Sequence, residues 1–517
     1  MRRLLLCVLL SNVFAGCVSP PPLDDPATTE ILRKQVSGAI ARDLWEGISG
    51  SVEFSGQADF LGTKAPFVLT LFPDGRYRYE IGGILGKLEV FDGEHIYKCD
   101  FSGVMRELSL SSRDDAQVMP SILSGSWLSA SSPFVLTSSS RVFYLSGNGG
   151  LASLSIELEA ETSLPTVFVE TGSAGTVQTT LADWKMVGSI PAPHTIRVQE
   201  GADGPLTELL VTAVRIASAS ESKEALTVDL AFPSDVRFSD SIANAVEVKR
   251  FPSGHILVHP LVNGEDVGWF LLDSGAGAMV IDTAVADALS MELVGEVLAT
   301  GVGGTERSGF RSGKQFSLGP MEWEGQVYVE LELAFLEKVF GVPIAGIIGY
   351  GFFSRVVLEL EPAAELVAIY DPATYQGAGL QWSELQFDTH TASVMATFDV
   401  GNGPQTEPFR MDTGADGTVA FHTPSVQRLE LKRGRDLKRT TMGGVGGSGL
   451  AYETTIPWFE LGGHRFEKPI VTLSQFEVGV FTDRYSTGNI GQEFLEAFRL
   501  VFDYPNNRIA FIKSKAD

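Results

Sequence analysis

Residues 409–419 read Phe-Arg-Met-Asp-Thr-Gly-Ala-Asp-Gly-Thr-Val, and residues 270–280 read Phe-Leu-Leu-Asp-Ser-Gly-Ala-Gly-Ala-Met-Val. In each, an apolar strand runs into an acid, then a hydroxyl, then Gly-Ala. One such Asp-[Ser/Thr]-Gly is ordinary turn chemistry, because Asp bonds nearby backbone N–H groups and Gly accepts positive φ. The frame around the two copies gives them weight. Asn263-Gly264 and Asn402-Gly403, each a strong hairpin signal, lie ten residues before Asp273 and Asp412. Gly301-Val302-Gly303-Gly304 starts 28 residues after Asp273, and Gly444-Val445-Gly446-Gly447 starts 32 after Asp412. Ile347-Ile348-Gly349 and Asn489-Ile490-Gly491 place their glycines 76 and 79 residues past the acids. Each copy closes with a hairpin, Val356 to Ile369 and Arg499 to Ile512. Four features in one order at near-equal spacing indicate a duplicated unit rather than a coincidence of turns.

With 517 residues the chain has room for three or four domains, and 44% hydrophobic with 20% charged residues is ordinary globular composition. Its 55 glycines and its Val, Phe and Thr runs lean toward β structure. A net charge of −25 argues against nucleic acid, which needs a basic surface, and identifies no partner by itself.

Residues 1–16 read as a targeting segment, with Arg2-Arg3 ahead of an apolar core from Leu4 to Phe14 that is too short to span a membrane. Phe14-Ala15-Gly16-Cys17 resembles a bacterial lipobox, with Phe14 where Leu is usual; ordinary signal cleavage is the alternative. The resemblance implies that Cys17 carries lipid and anchors the chain to a membrane of the bacterial envelope, two or more acyl chains being enough for stable attachment. Residues 17–27, with Pro20-Pro21-Pro22 and Asp24-Asp25, read as a tether. Cys99 is then unpaired and reads as a small apolar sheet residue.

Residues 28–216 form an expected N-terminal domain. One amphipathic helix is predicted over 28–45, followed by period-two strands with tight turns at Asp74-Gly75 and Asp92-Gly93. Further strands are predicted near 133–145, 151–159, 166–171, 177–187 and 206–217. The economical architecture is an antiparallel curved sheet or open barrel. This part resembles the lipoprotein-carrier fold of the LolA/LolB kind over about 100 residues, a half-open barrel that holds acyl chains; a plain β scaffold is the other reading. Small polar residues from Ala217 open a linker over 217–245. The repeats then cover 246–375 and 376–517.

The two repeats resemble retropepsin-like aspartic proteases in the bacterial form that fuses two such halves. The residues carrying this are Asp273-Ser274-Gly275-Ala276 with Gly346-Ile347-Ile348-Gly349, and Asp412-Thr413-Gly414-Ala415 with Ile490-Gly491. The resemblance implies a mainly β fold with a pseudo-twofold double barrel, and hydrolysis of extended peptides by an Asp273–Asp412 dyad that activates water. It implies that Ser274 and Thr413 join the two loops, that Gly275 and Gly414 allow their tight turn, and that the Ile-Gly segments pack beneath. Gly303, Gly304, Gly446 and Gly447 would belong to mobile flaps over the substrate. Asp416 matches an acid that accepts from substrate backbone, whereas Gly277 stands there in the first copy, so the two sides of the cleft should differ. Asn489 departs from the usual apolar support.

This reading calls for no metal and no cofactor, and for a monomer with an internal pseudo-dimer. Gly444-Val-Gly-Gly-Ser-Gly449 fits a dinucleotide fingerprint in form, but the strand-like Leu450-Ala-Tyr-Glu-Thr after it does not. His255 and His259 sit four apart on a strand, too far apart to share a metal. Two alternatives stay open at this point. One is a non-catalytic envelope protein binding peptide or lipid. The other has each repeat pairing with a second molecule.

Overall fold

The computed structural model describes residues 26–108, 118–129, 134–139, 142–147, 153–172, 175–201, 204–361, 365–388 and 390–513. The targeting segment, Cys17 and most of the tether lie outside them. The chain begins with helices Pro26–Ala39 and Arg42–Glu46, where one helix over 28–45 was expected. The break falls at Ala41, whose φ of 54° is left-handed and cannot continue a helix. The first helix starts at Pro26, within the range assigned to the tether. Proline suits a first helical turn because its missing N–H is not needed there.

Thirteen strands follow in one antiparallel sheet, in which Ser51–Phe60 pairs with both Thr63–Leu71 and Leu206–Ala217. Alternation sets its faces. Ala65, Phe67 and Leu69 point into the core, while Lys64, Pro66 and Val68 point outward. The sheet curls as a half-barrel around Val36, Ile40, Trp45, Ile122 and Trp127. Where the register shifts between Ser55 and Gly56, a Cβ on Gly56 would lie 2.0 Å from the Leu210 carbonyl oxygen, so glycine allows the bend. The stretch near 133–145 is two strands, Phe134–Ser139 and Val142–Gly147. A helix at Val118–Ser124 had no expectation. Cys99 is half-buried, and burial pushes its thiol up to about 11.

Residues 217–245 are pinned to the first repeat. Val236–Phe238 pairs with Met321–Glu324, and Asp235 accepts from Arg355 Nε at 2.9 Å and Trp323 Nε1 at 3.0 Å.

The two repeats share one topology. In the first, strand Trp269–Leu272 leads to Asp273 and lies parallel to Ile344–Ile348, which also pairs antiparallel with Met279–Asp282 beyond the loop. In the second, Pro404–Met411 lies parallel to Gly488–Ile490, which pairs antiparallel with Val419–Phe421. The strand ending in Ile-Gly therefore threads between the two arms of each acid loop and fixes both. A core of Phe398, Phe409, Phe421 and Phe459 holds the second loop's strands, with Phe409 5.1–5.6 Å from the other three ring centres. The Asn263-Gly264 hairpin uses positive φ at both residues. Around Asn402 the turn is wider, and the Asp399 carboxylate accepts from Gly401 N at 2.6 Å and Gly403 N at 3.1 Å.

The closing hairpins interlock. A six-stranded sheet runs Ala245–Val246, Leu366–Tyr370, Val357–Glu361, Phe498–Asp503, Arg508–Lys513, Trp382–Glu384, with one hairpin from each repeat at its centre. Val357–Glu361 and Phe498–Asp503 pair antiparallel, with Glu359 opposite Val501. These two residues are 142 positions apart, as are Gly349 and Gly491, so the pseudo-twofold axis passes between them. The fold is mainly β: a curled antiparallel sheet followed by two β repeats that share one central sheet.

Candidate active site

Both acid loops meet on the axis. Ser274 N donates to Thr413 Oγ1 at 2.8 Å, and Thr413 N donates to Ser274 Oγ at 3.1 Å. The hydroxyls then donate onward across the axis, Ser274 Oγ to Met411 O at 2.8 Å and Thr413 Oγ1 to Leu272 O at 3.0 Å. Both side chains are 1% exposed, so each bond is shielded from water. Only a small hydroxyl that both accepts and donates can make this exchange.

The grip brings Asp273 and Asp412 together. Gly275 N donates to Asp273 Oδ1 at 2.8 Å and Gly414 N to Asp412 Oδ1 at 3.1 Å. A Cβ on Gly275 would lie 2.7 Å from Asp412 Oδ1 and 3.2 Å from Asp273 Oδ1, and one on Gly414 would lie 2.3 Å from Asp273 Oδ2. Each loop therefore needs glycine because the other loop's carboxyl fills the space a side chain would take. Burial, then the Asp412 charge, pushes Asp273 up to about 7, against the pull of backbone N–H groups. Burial also raises Asp412, opposed first by a hydrogen bond from Asn489.

The surroundings of the two acids differ. In the first repeat Leu271 and Ile347 pair across parallel strands, and both are buried and apolar. The matching pair in the second repeat is Arg410 and Asn489. Asn489 Nδ2 donates to Asp412 Oδ2 at 2.6 Å, and its Oδ1 meets His422 Nε2 at 2.8 Å. His422 is fully buried, and burial pushes it down to about 4. Its Nδ1 faces Ser486 O at 3.1 Å and Ser486 Oγ at 3.3 Å. Ser486 Oγ donates to Asp483 Oδ2 at 2.6 Å, and Asp483 pairs with Arg410 at 2.9 Å. On the other side His255 Nε2 donates to Gly414 O at 2.9 Å, its Nδ1 being satisfied by Ser253 Oγ at 2.8 Å.

Each repeat carries a long hairpin, Glu292–Gly301 with Gly304–Ser312 and Lys438–Gly444 with Gly447–Thr455. Their tips touch: Gly303 N donates to Val445 O at 3.1 Å. A Cβ on Gly303 would lie 2.2 Å from Gly446 O, while Gly304, Gly446 and Gly447 all carry positive φ. Asp416 is exposed at one end of the acid loops. At the matching position Gly277 is covered, with His390 Cβ 3.3 Å from where a Cβ would stand.

The N-terminal sheet reaches this end. Asp100 Oδ2 lies 2.7 Å from His390 Nε2, and Phe101 packs on Phe310 of the first flap with ring centres 4.8 Å apart. Leu61 O accepts from Glu296 N of that flap at 2.9 Å. Arg106 donates to Tyr350 Oη at 2.5 Å and Ser354 Oγ at 3.2 Å in the first repeat, and to Asn507 Oδ1 at 2.6 Å and Tyr504 O at 3.1 Å in the second.

The structure thus gathers Asp273, Asp412, Ser274, Thr413, Gly275 and Gly414 at one point, brings Gly303, Gly304, Gly446 and Gly447 together where the two hairpin tips meet, and leaves Asp416 exposed in the second acid loop. His255, Arg410, His422 and Asp483 were not singled out from sequence as parts of this site. Their one sequence signal was the polar Asn489 where Ile347 stands in the first copy. Among the described residues, no group of three or more His, Cys, Asp or Glu side chains could hold a metal ion, and no helix is long and apolar enough to cross a membrane.

Residues 258–352 match the aspartyl protease family model. No curated protein matches the chain. Among solved structures, a LolA superfamily protein from Nitrosomonas europaea aligns at TM-score 0.28 and 11% identity, covering 38% of this chain and 97% of that one. A domain named for outer-membrane lipoprotein sorting, from Vibrio parahaemolyticus, aligns at TM-score 0.29 and 13% identity, covering 38% of this chain and 96% of that one. Over residues 258–352, which hold Asp273, the first flap and the Gly346-Ile347-Ile348-Gly349 support, the chain is similar in family to the aspartyl proteases.

Proposed function

We propose that the chain is an aspartic endopeptidase with Asp273 and Asp412 as its catalytic residues. The observation that carries this is the convergence of the two carboxyls, each filling the space beside the other's loop glycine. Two carboxyls so close hold one proton between them, because a second negative charge is strongly disfavoured. The ionised member takes a proton from water as the oxygen attacks the peptide carbonyl carbon. The protonated member gives its proton to the carbonyl oxygen, leaving a gem-diol. On collapse the C–N bond breaks, the leaving nitrogen takes the proton gained from water, and one diol proton returns to the other carboxylate. Atoms and charge balance with no covalent intermediate.

Substrate binds extended beneath the flaps, its backbone bonding as an added strand. Exposed Asp416 accepts from substrate backbone on one side, and Gly277 under His390 offers no such acceptor on the other. Preferences on the two sides of the cut bond are therefore unequal. Gly303, Gly304, Gly446 and Gly447 let the flap tips part and close. The domain plan that goes with this reading is a β domain over 28–216, a linker over 217–245 and protease repeats over 246–375 and 376–517. The chain works as a monomer, exported and held to an envelope membrane through lipid on Cys17.

The test incubates the protein with a mixed library of extended peptides across the acid-to-neutral range and reads new N-termini by mass spectrometry. The wild type cuts; Asp273→Asn and Asp412→Asn do not, while circular dichroism shows both folded. Cleavage by either variant removes the reading. A wild type that binds library peptides without cutting them replaces it with non-catalytic binding.

A further inference from the structure

Behind Asp412 lies a buried polar chain that the first repeat lacks. It begins at Asn489, passes through His422 to Ser486, and ends at the Arg410–Asp483 pair. Asn489 is 6% exposed, Ser486 4% and His422 0%. Polar groups so deeply buried are costly unless satisfied, and here each satisfies the next. At the equivalent strand positions Leu271 and Ile347 give Asp273 nothing but packing. The pseudo-twofold site is therefore chemically one-sided at its floor.

A primary amide has one donating end and one accepting end. When Asp412 is ionised, Asn489 must present its NH2 to it, its oxygen then requires a proton on His422 Nε2, and the unprotonated Nδ1 must accept from Ser486 Oγ, 3.3 Å away, whose hydroxyl turns from Asp483 to supply it. When Asp412 is protonated and donates, the amide must turn, and His422 must accept at Nε2 and donate from Nδ1 to the Ser486 carbonyl. The charge on Asp412, the direction of the amide and the imidazole tautomer are thus one linked choice. The charged and titratable groups around the dyad besides these are Arg410 and His255, which both pull Asp412 down, and Tyr504, whose hydroxyl reaches Ser274 O at 3.4 Å; His255 Nε2 is spent on Gly414 O. None of these donates to a dyad carboxyl. Arg410 and Asp483 face His422 with opposite charges.

We propose that Asn489 and His422 are positioning residues that make the dyad unequal, holding Asp412 as the carboxylate and leaving the shared proton on Asp273. Asp412 then takes the proton from water, and Asp273 supplies the carbonyl oxygen. Burial raises both carboxyls; the Asp412 charge raises Asp273 further, whereas the bond from Asn489 opposes the rise at Asp412. This inference rests on the endopeptidase reading for its roles, but its physical core, a bond from Asn489 to an ionised Asp412, does not.

The test therefore has a readout free of activity. In protein labelled with carbon-13 at the aspartate carboxyls, the two resonances are assigned by their loss in Asp273→Asn and Asp412→Asn. Asp412 should ionise at lower pH than Asp273 in the wild type. Asn489→Ile, which installs the first repeat's residue, should raise the Asp412 transition by about one unit or more, the scale of one lost bond to a charge. His422→Phe should do the same, and His422→Gln, which can still donate to the amide oxygen, should restore it. If peptide cleavage is confirmed, the acid limb of kcat/KM should move with the same variants. An Asp273 that ionises first overturns the proposal, as does an Asp412 transition unmoved in both Asn489→Ile and His422→Phe. Should a variant fail to fold, the order of the two wild-type transitions still decides. Cleavage that survives Asp273→Asn and Asp412→Asn would remove the endopeptidase reading while leaving this titration order to stand or fall alone.

Discussion

Asp100 of the N-terminal sheet and His390 of the second repeat meet at 2.7 Å beside Gly277 of the first, so one contact joins three parts of the chain. Burial alone would push the Asp100 carboxyl up, but His390, the Ser102 N–H and Lys98 hold it well below the usual carboxylate range. A depressed carboxyl stabilises the fold above its unfolded value, about 3.9, and that stability is lost as pH falls below it. Asp100→Asn should therefore cost about 1–3 kcal/mol in mildly acidic buffer and flatten the acid dependence of stability. Denaturant unfolding across pH checks both, and equal acid slopes in the two proteins would count against it.

For Asp273 the sign reverses. Its carboxyl keeps its proton up to about 7 in the fold, whereas the unfolded chain releases it near 3.9, roughly. Between those values the native state binds more protons, so its stability falls as pH rises. Asp273→Asn should remove that slope and leave a more stable protein at neutral pH. Peptide cleavage should fade as pH rises through about 7, when the dyad loses its shared proton. A wild-type profile that climbs through neutrality contradicts both expectations.

Flap closure depends on a glycine. Because a Cβ at position 303 would run into Gly446 O at 2.2 Å, Gly303→Val should hold the tips apart. Cleavage is expected to fall by about 10²-fold, the scale of a misplaced substrate, with little change in melting temperature. Steady-state kinetics beside a thermal melt separates this from unfolding.

The interlocked sheet should make the repeats one cooperative unit. Leu358, fully buried, pairs with Phe502 across the axis. Leu358→Ala should cost about 2–5 kcal/mol and lower the stability of both repeats together. Hydrogen exchange would show protection lost around both acid loops. Active protein should sediment as a monomer, since one chain supplies both closing hairpins.

Much of the fold was legible because it rests on short local rules. The period-two pattern broken by Asp74-Gly75 and Asp92-Gly93 marked the N-terminal strands, and the doubled Asp-[Ser/Thr]-Gly frame marked the repeats. What escaped depends on distance in the fold rather than along the chain. His422 and Asn489 lie 67 residues apart in sequence, and His390 and Asp100 lie 290 apart. Nothing local to His422 shows that a strand returning much later will set an amide against it. The reading of His255 asked only whether His259 could share a metal with it. That missed its partner, the Gly414 carbonyl, 159 residues away. The helix break at Ala41 escaped because a left-handed alanine has no sequence signature.

Arg106 holds side chains or carbonyls of both repeats while sitting on the last strand of the N-terminal sheet's first half. With that rivet in place, and with the repeats laced through a common sheet, the N-terminal sheet and the two repeats should move together as one body. On the proposed endopeptidase reading, admission of a polypeptide then falls to the few glycines at the hairpin tips, a small and fast local event. Solution scattering should accordingly keep the same radius with the groove filled or empty.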